Sequence, residues 1–233
     1  IQSNLWNMNS IIQIKNLSKN YESKTKVLKN LNFNFKAGKT YSLIGPSGSG
    51  KSTLLNLISL IDKPTSGLIK IDNININFIT NDTNDKIRSN KIGIVYQDKN
   101  LLSDFTILEN VYLARLAING NKDKALNEAK YLLEKVGLAK RMNHFPSQIS
   151  GGEAQRVAIS RAIINSPKII LADEPTGSLD IKNAKLIFKL LLQHKKNNRT
   201  IIFATHNRYF ANMADCKIEL IDGKMKIING RIS

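Results

Sequence analysis

The N-terminal part of the chain shows the alternation of apolar and polar residues that is typical of half-buried β-strands. Leu31-Asn32-Phe33-Asn34-Phe35 alternates strictly, and a shorter strand is predicted at residues 11–14. Further along, Leu68-Ile69-Lys70-Ile71 predicts a strand that enters a hairpin turn at Asp72-Asn73. The polar, asparagine-rich segment at residues 75–84 is predicted to be a loop.

Four largely apolar runs predict buried strands, the pattern of a parallel sheet. They cover residues 41–44, 91–96, 169–172 and 200–205. Each run is followed directly by a residue suited to a ligand site, namely Gly45, Gln97, Asp173 and His206. Ligands collect at the carboxyl ends of strands in open α/β sheets. We therefore expect these four positions to lie at one edge of one sheet.

Residues 98–163 change to a helical pattern and are predicted to form a helical insert in the α/β core. Thr106 and Glu109 have the spacing of a capping box, which predicts the start of an amphipathic helix that ends near Ile118. A second helix is predicted over residues 122–136, since small and apolar residues recur there at helical spacing.

The run between the first buried strand and a leucine-rich helix has the pattern of a phosphate-binding loop. It consists of Gly45, Pro46, Ser47, Gly48, Ser49, Gly50, Lys51, Ser52 and Thr53. Its glycines let successive N–H groups turn inward around an anion, and the helix that follows begins with unpaired amides. Lys51 is predicted to reach the β- and γ-phosphates, and the Ser52 hydroxyl to ligate the Mg²⁺ that bridges them. The alternative is a chance match, but the flanking strand and helix supply the context that the motif requires, so we expect binding of a nucleoside triphosphate.

The apolar run at residues 169–172 delivers two adjacent carboxylates at its end. We predict that Asp173 holds Mg²⁺ and that Glu174 polarises the attacking water. His206 follows another of the buried strands. A lone histidine is usually structural, but at the edge that carries the phosphate loop it is also a candidate for contact with the γ-phosphate.

A second capping box, Ser150-Gly151-Gly152-Glu153, opens a third helix. Its paired glycines leave the first turn bare. Two interpretations stay open from the residues alone: an ordinary helix cap, or free amides that face an external anion.

Composition changes this picture only in part. The chain has 35 lysines and arginines against 18 aspartates and glutamates, a net charge of +17, which points to nucleic acid or an anionic membrane as partners. A general drift of composition toward lysine, asparagine and isoleucine explains the charge equally well, and we favour that explanation.

Cys216 is the only cysteine, no apolar run approaches the length of a membrane span, and no signal-peptide pattern opens the chain. We expect a soluble cytoplasmic protein whose coding start is Met8 or an unusual codon.

In this order the motifs resemble those of the ATP-binding cassette ATPases, the ATP-hydrolysing subunits of ABC transporters. The likeness covers nearly the whole chain. It comprises an aromatic residue before the second strand, the Walker A loop, the Q-loop glutamine, the signature, the Walker B strand with its glutamate, the D-loop and the switch histidine. These are Tyr21, 45–52, Gln97, 150–153, Asp173 with Glu174, 178–180 and His206.

The resemblance implies an α/β fold, a P-loop NTPase of ABC ATPase type with a mixed sheet core, an antiparallel β subdomain and a helical insert. We expect one such domain over residues 11–233, after a disordered segment at residues 1–10. The resemblance also implies ATP and Mg²⁺ as ligands and a head-to-tail homodimer formed on ATP binding. In that dimer, ATP lies between the Walker A loop of one subunit and the signature of the other.

The resemblance assigns further roles to single residues. Tyr21 is expected to stack on adenine, and Gln97 to contact Mg²⁺ and water. Across the dimer, Ser150 and the amides of Gly151 and Gly152 reach the γ-phosphate, Glu153 keeps its capping role, and Asp180 lines the interface. The resemblance thus implies three catalytic residues, Glu174, His206 and Gln97. It implies three metal ligands, Ser52, Gln97 and Asp173.

Two stretches, 101–111 and 172–180, look like the lipoprotein-releasing branch of the family. That likeness implies a bare cassette, peripheral on the cytoplasmic face of the inner membrane, that docks on separately encoded integral membrane subunits through the helical insert. Macrolide or peptide exporters and cell-division complexes are the nearest alternatives. Asp98-Lys99-Asn100 and Ser103 depart from the residues usual on the docking surface, and Ile149 and Glu153 depart from the usual signature.

Two other classes of function are compatible with part of the same pattern. A nucleic-acid-associated ABC protein is a distant alternative, because the long coiled-coil, zinc-bearing or second-cassette segments of such proteins have no counterpart in this sequence. No specific nucleic acid is therefore expected as a partner. A scaffold role, in which the ATP-driven dimer signals to a cell-wall enzyme, is the other possibility.

Overall fold

The computed structural model describes residues 10–21, 25–78 and 81–230. The strands are β1 (Ser10–Tyr21), β2 (Thr25–Lys36), β3 (Thr40–Ile44), β4 (Ser66–Ile71), β5 (Ile74–Asn75), β6 (Ile92–Val95), β7 (Ile169–Asp173), β8 (Thr200–Ala204), β9 (Cys216–Ile221) and β10 (Lys224–Asn229). The helices are α1 (Lys51–Ile58), α2 (Asn81–Lys91), α3 (Ile107–Asn119), α4 (Lys122–Lys135), α5 (Gly151–Ile163), α6 (Ile181–Gln193) and α7 (Arg208–Ala211). The segment predicted to be disordered lies outside the described residues except for Ser10, which begins β1.

A six-stranded sheet with the order β10-β9-β3-β8-β7-β6 forms the centre of the fold. The five strands from β9 to β6 run parallel, and β10 closes one edge as the antiparallel partner of β9. β3, β7 and β8 are almost wholly buried, as continuous apolar runs predict. Their carboxyl ends therefore meet at one edge, where the predicted ligand residues follow.

A second sheet, with the order β2-β1-β4-β5, is antiparallel throughout. The predicted hairpin turn joins β4 to β5, and Asp72 and Asn73 both adopt positive φ there, at 49° and 64°. Phe35 of β2 and Tyr41 of β3 pack edge to face across the junction of the two sheets, with ring centroids 4.9 Å apart. The predicted mixed core and antiparallel subdomain are both confirmed.

Helices α3, α4 and α5 form a layer of their own within residues 98–163. Their shared core includes Ile107, Val111, Leu133 and Val157, all fully buried. The capping box predicted for α3 is present: the Thr106 hydroxyl accepts from the Glu109 amide at 3.2 Å, while the Glu109 carboxylate accepts from the Thr106 amide at 2.7 Å. No described helix combines the length and the apolar character that a membrane span requires.

The loop predicted at residues 75–84 is wrong from residue 81 onward, where α2 begins. This helix is strongly polar, and only Asn84 and Ile87 of its described side chains are buried. The helix lacks an apolar stripe and is stabilised by tertiary hydrogen bonds. Asn84 Nδ2 donates to the Asn77 carbonyl at 2.8 Å, and Arg88 donates to the Leu60 carbonyl at 3.1 Å. Such contacts leave no periodic signal in the sequence.

Candidate functional site

The phosphate loop leaves the sheet between β3 and α1, in a conformation that requires glycine. Gly45 has a φ of +148°, and a Cβ there would lie 2.2 Å from the Leu220 carbonyl oxygen. Gly50 has a φ of +99°, and a Cβ there would lie 2.7 Å from the Leu28 side chain. At Gly45 both the torsion and the contact with backbone exclude a side chain, whereas at Gly50 the positive φ is the main obstacle, since the Leu28 side chain could shift. Gly50 is also the N-cap of α1 and supplies no side-chain cap, which leaves the first amides of that helix available to a ligand.

Lys51 lies across this loop. Its Nζ donates to the carbonyls of Gly45 and Pro46, at 2.9 Å each. The ammonium group is thus held over the inner side of the loop by two neutral acceptors. An anionic phosphate is a stronger partner than a carbonyl for the same group, so the geometry places one positive charge where a phosphate would lie.

A cavity of about 550 Å³ opens at this edge of the sheet. Most of the predicted residues line it: Gly45, Ser47, Gly48, Gly50, Lys51, Ser52, Thr53, Gln97, Asp173, Glu174 and His206. Pro46 and Ser49 belong to the same loop but not to its lining, and Ser49 is buried beneath it. The cavity also includes Val27 of β2, which no pattern in the sequence singled out.

Glu174 and His206 lie side by side in this cavity. Glu174 Oε2 lies 3.0 Å from His206 Nδ1, and the carboxylate is largely buried while the imidazole is exposed. Glu174 adopts a φ of +43°, and its amide donates to the Ala204 carbonyl at the end of β8. The strands β7 and β8 therefore hold the backbone of Glu174, and a carboxylate so placed can accept a proton from a water in the cavity.

Oxygen donors suited to Mg²⁺ are available beside that pair. Ser52, Gln97 and Asp173 all line the cavity, and Asp173 is the last residue of β7. Mg²⁺ prefers oxygen ligands and binds commonly through one or two carboxylates together with substrate phosphates. The residues present therefore fit the predicted metal.

The signature residues do not line this cavity. Ser150 is exposed and caps α5: its hydroxyl accepts from the Glu153 amide at 3.3 Å, and its own amide donates to Glu153 Oε2 at 2.8 Å. That hydrogen bond, with Arg141 as a nearby cation, holds the pKa of Glu153 below its usual value. The capping box predicted here is present, and the N-terminus of α5 faces outward.

Asp180 is the N-cap of α6, and the first turn of that helix lies next to the signature. Its Oδ1 accepts from the Asn183 amide at 3.0 Å, and this hydrogen bond lowers the pKa of the carboxyl. Asn183 in turn lies close to Gly152, where a Cβ would be 3.1 Å from the Asn183 side chain. Ser150 and Asp180 are therefore exposed on one part of the surface, and neither lines the cavity of its own chain.

Tyr21, at the end of β1, lies outside the cavity lining but contacts residues near it. Its hydroxyl donates to Asp62 Oδ2 at 2.6 Å, and partial burial together with this carboxylate raises the pKa of the phenol. The nearby side chain of Thr53, a cavity residue, lowers the pKa of the phenol and so partly offsets this rise. Asp62 had no signal in the sequence, because it is 41 residues distant along the chain.

The loop after Gln97 is held by residues that the motifs also missed. Arg161 of α5 donates to the carbonyls of Lys99 and Asn100 at 2.6 Å each, and Lys99 Nζ donates to Ser178 Oγ at 2.7 Å. Asn110, which is buried, binds the amide and the carbonyl of Leu102. The loop is thus joined both to α5 and to the D-loop.

Comparison with known proteins gives concordant matches. The sequence pattern of the family described as "ABC transporter" matches residues 28–177. The lipoprotein-releasing system ATP-binding protein LolD of Rickettsia bellii is 44% identical over 223 residues, covering 94% of this chain and 99% of that protein. The protein of the same name from Legionella pneumophila is 43% identical, covering 94% of this chain and 98% of its own. Among solved structures, a match is found to the ATP-binding cassette MJ0796 from Methanocaldococcus jannaschii, in a dimeric post-hydrolysis state bound to ADP and Pi. The TM-score is 0.85 and the sequence identity is 40%, and the match covers 94% of this chain and 100% of that one.

Proposed function

This chain belongs to the ABC transporter family of ATP-binding subunits, and from that premise we propose that it hydrolyses ATP for a lipoprotein-releasing complex at the inner membrane. The observation that carries the chemistry is the single cavity in which the phosphate loop, Asp173, Glu174 and His206 meet. The names of the relatives from Rickettsia bellii and Legionella pneumophila support the assignment to lipoprotein release. The chain would act on the cytoplasmic face, docked on separate membrane subunits.

Within one subunit, the loop amides and Lys51 bind the β- and γ-phosphates of ATP. Ser52, Asp173 and Gln97 would hold Mg²⁺, which supplies charge neutralisation on the phosphate oxygens. Glu174 accepts a proton from the water that attacks the γ-phosphate, and the contact with His206 orients the carboxylate for that step. His206 is exposed and lines the cavity, so it would be available for contact with the γ-phosphate.

We further propose that a second copy of the chain completes the site. The N-terminus of α5 faces outward, with Asp180 beside it, and neither lines the cavity of its own chain. The bare first turn at Gly151 and Gly152 suits an anion that another subunit presents. The matching cassette structures are described as dimeric, which supports a head-to-tail homodimer for this chain.

The docking surface for the membrane subunits is proposed to be the loop between β6 and α3. Leu102 and Phe105 are 49% and 40% exposed there, and Asn110 fixes the loop from below. Exposed apolar side chains on a well-held loop are suited to a protein partner. The same loop begins beside Gln97, so contact at this surface is adjacent to the cavity.

Reconstitution tests the proposed function. With the membrane subunits of a lipoprotein-releasing transporter in proteoliposomes, the wild-type chain is expected to release a labelled lipoprotein on addition of ATP and Mg²⁺. Phe105→Ser should reduce the stimulation of hydrolysis by the membrane subunits at least about tenfold, the effect of losing a well-buried aromatic anchor, and should leave basal hydrolysis unchanged.

Tyr131→Ser provides the matched control, since Tyr131 is an exposed aromatic residue on α4 and is not part of the proposed docking loop. Stimulated hydrolysis without lipoprotein release would retain the ATPase assignment and remove the proposed cargo. Equal losses in the Phe105 and Tyr131 variants would remove the proposed docking surface.

The net charge of +17 leads to a separate prediction. Binding to duplex DNA should be weak, without sequence preference, and should fall steeply as salt rises, because a diffuse basic surface makes only counterion-releasing contacts. Fluorescence anisotropy over a salt series measures this. Nanomolar affinity at physiological salt would contradict it and favour a nucleic-acid function.

A further inference from the structure

Three side chains join the end of β1 to the segment after α1. Lys19 Nζ lies 2.6 Å from Asp62 Oδ1, and it also donates to the Lys63 carbonyl at 2.7 Å. Asp62 Oδ2 accepts from the Tyr21 hydroxyl at 2.6 Å, so that both of its carboxylate oxygens are bound. Lys19 and Tyr21 are two residues apart on one strand, and their side chains therefore lie on the same face of the sheet.

The ring of Tyr21 is held from two directions. Lys19 Nζ lies 4.6 Å from the ring centroid, a cation–π contact that covers one face of the phenol. The hydroxyl is fixed at the edge of the ring by Asp62. Tyr21 nevertheless stays 42% exposed, which leaves ring surface available for stacking.

Partial burial restricts the side chains of Lys19 and Asp62 to this arrangement. The Lys19 side chain is 11% exposed and that of Asp62 is 26% exposed. Burial alone raises the pKa of Asp62, but the hydrogen bonds from Lys19 and Tyr21 outweigh it and lower the pKa below its usual value. The carboxylate is therefore charged at neutral pH and binds its partners with charge-assisted hydrogen bonds.

The held ring is adjacent to the phosphate cavity. Thr53, in the first turn of α1, lines that cavity, and its side chain is near enough to Tyr21 to lower the pKa of the phenol. Val27 lines the cavity from β2, the strand that pairs with this part of β1 through Lys19–Leu28 and Asn20–Lys26. A nucleotide whose phosphates lie on the loop would thus extend its base toward this end of β1.

We propose that Asp62 and Lys19 are positioning residues for the nucleotide base. They fix the Tyr21 ring in the orientation that stacks on the base before the nucleotide arrives, so that less side-chain freedom is lost on binding. This inference rests on the proposed function, in which Tyr21 contacts adenine. It concerns affinity and leaves the chemical step to the cavity residues.

Asp62→Asn tests the inference. It keeps the shape of the side chain but removes the charge that orients both Lys19 and Tyr21. The variant is expected to raise the KM and the Kd for ATP about fivefold, the scale of one net hydrogen bond, with kcat at saturating ATP unchanged. Calorimetry and steady-state kinetics measure the two parameters.

A double-mutant cycle shows whether the effect passes through Tyr21. Tyr21→Ala alone should weaken ATP binding by about tenfold or more, the loss expected for one aromatic stacking partner. In that background Asp62→Asn should have no further effect on the Kd. If the fivefold loss persists there, Asp62 does not act through Tyr21 and the inference is overturned.

Asp72→Asn is the matched control. Asp72 is 19% exposed and binds two lysines, Lys91 and Lys168, without contacting Tyr21. It should lower the melting temperature and leave the Kd for ATP unchanged. Equal changes in Kd for the Asp62 and Asp72 variants would indicate a purely structural role and overturn the inference.

Two further outcomes are decisive. If Asp62→Asn fails to fold, Tyr21→Phe removes the same hydrogen bond from the other side and should give the same rise in Kd. An unchanged Kd in Tyr21→Phe overturns the inference. A wild-type chain that bound no ATP would overturn the inference together with the proposed function. If the wild-type chain binds ATP and Asp62→Asn leaves the Kd unchanged, the inference alone is overturned.

Discussion

Replacing Glu174 with glutamine is expected to slow ATP hydrolysis between about a hundredfold and ten-thousandfold, the contribution of a general base, while ATP binding is kept. The amide has the shape of the carboxylate and can remain beside His206, which lies 3.0 Å from Glu174 in the native chain. It cannot accept the proton of the attacking water. Phosphate release measures the rate, and calorimetry measures binding. Glu134→Gln, on the exposed side of α4, is the matched control.

The same variant should accumulate as an ATP-bound dimer, because in the proposed mechanism the interface forms on ATP binding and hydrolysis would be needed to release it. Light scattering with and without ATP would detect it. Adding Ser150→Arg should abolish the dimer, since it places bulk and an unpaired cation at the outward-facing start of α5, and ATP binding to the monomer should persist. Ser147→Arg adds the same charge at an exposed position three residues earlier and should leave the dimer intact.

Three results would argue against this mechanism. A Glu174→Gln chain that stayed monomeric at saturating ATP and Mg²⁺ would contradict the dimer. A Ser150→Arg double variant that dimerised equally well would show that the signature has been given the wrong role. Unchanged hydrolysis in Glu174→Gln would place the general base elsewhere.

Replacing Lys51 with alanine is expected to weaken ATP binding by about a hundredfold, the loss of a charged hydrogen bond to phosphate. Lys51 Nζ also bridges the Gly45 and Pro46 carbonyls, so its removal loosens the loop as well. Calorimetric titration with ATP measures the change, and Lys130→Ala, an exposed lysine of α4, is the control for net charge. An unchanged Kd would remove the phosphate-loop assignment.

The sequence was most informative where a function depends on adjacent residues. Loop glycines, capping boxes and residues that follow buried strands are local patterns, and the structure brings Gly45, Gln97, Asp173 and His206 to one cavity as expected. The likeness to the ABC transporter family, inferred from these motifs, is confirmed by the matches to known proteins. The roles of the single residues and the boundaries of the helical insert stay predictions.

Contacts between residues distant along the chain could not be predicted. Asp62 reaches Tyr21 only because β1 passes the segment after α1, and Val27 enters the cavity only because β2 pairs with β1. The helix α2 forms in a segment whose polar composition predicted a loop, because Asn84 and Ile87 find tertiary partners. Tertiary packing, not local preference, decides each of these cases.

At Glu174 the requirements of fold stability and of ATP hydrolysis conflict. Its φ of +43° lies in the left-handed region, where a residue other than glycine costs the folded state about 1 kcal/mol. A glycine there would relieve that strain and delete the proposed base at the same time. Selection for a more stable fold therefore favours glycine at this position, and selection for transport favours glutamate. A screen that ranked variants by melting temperature alone would therefore select against the proposed base.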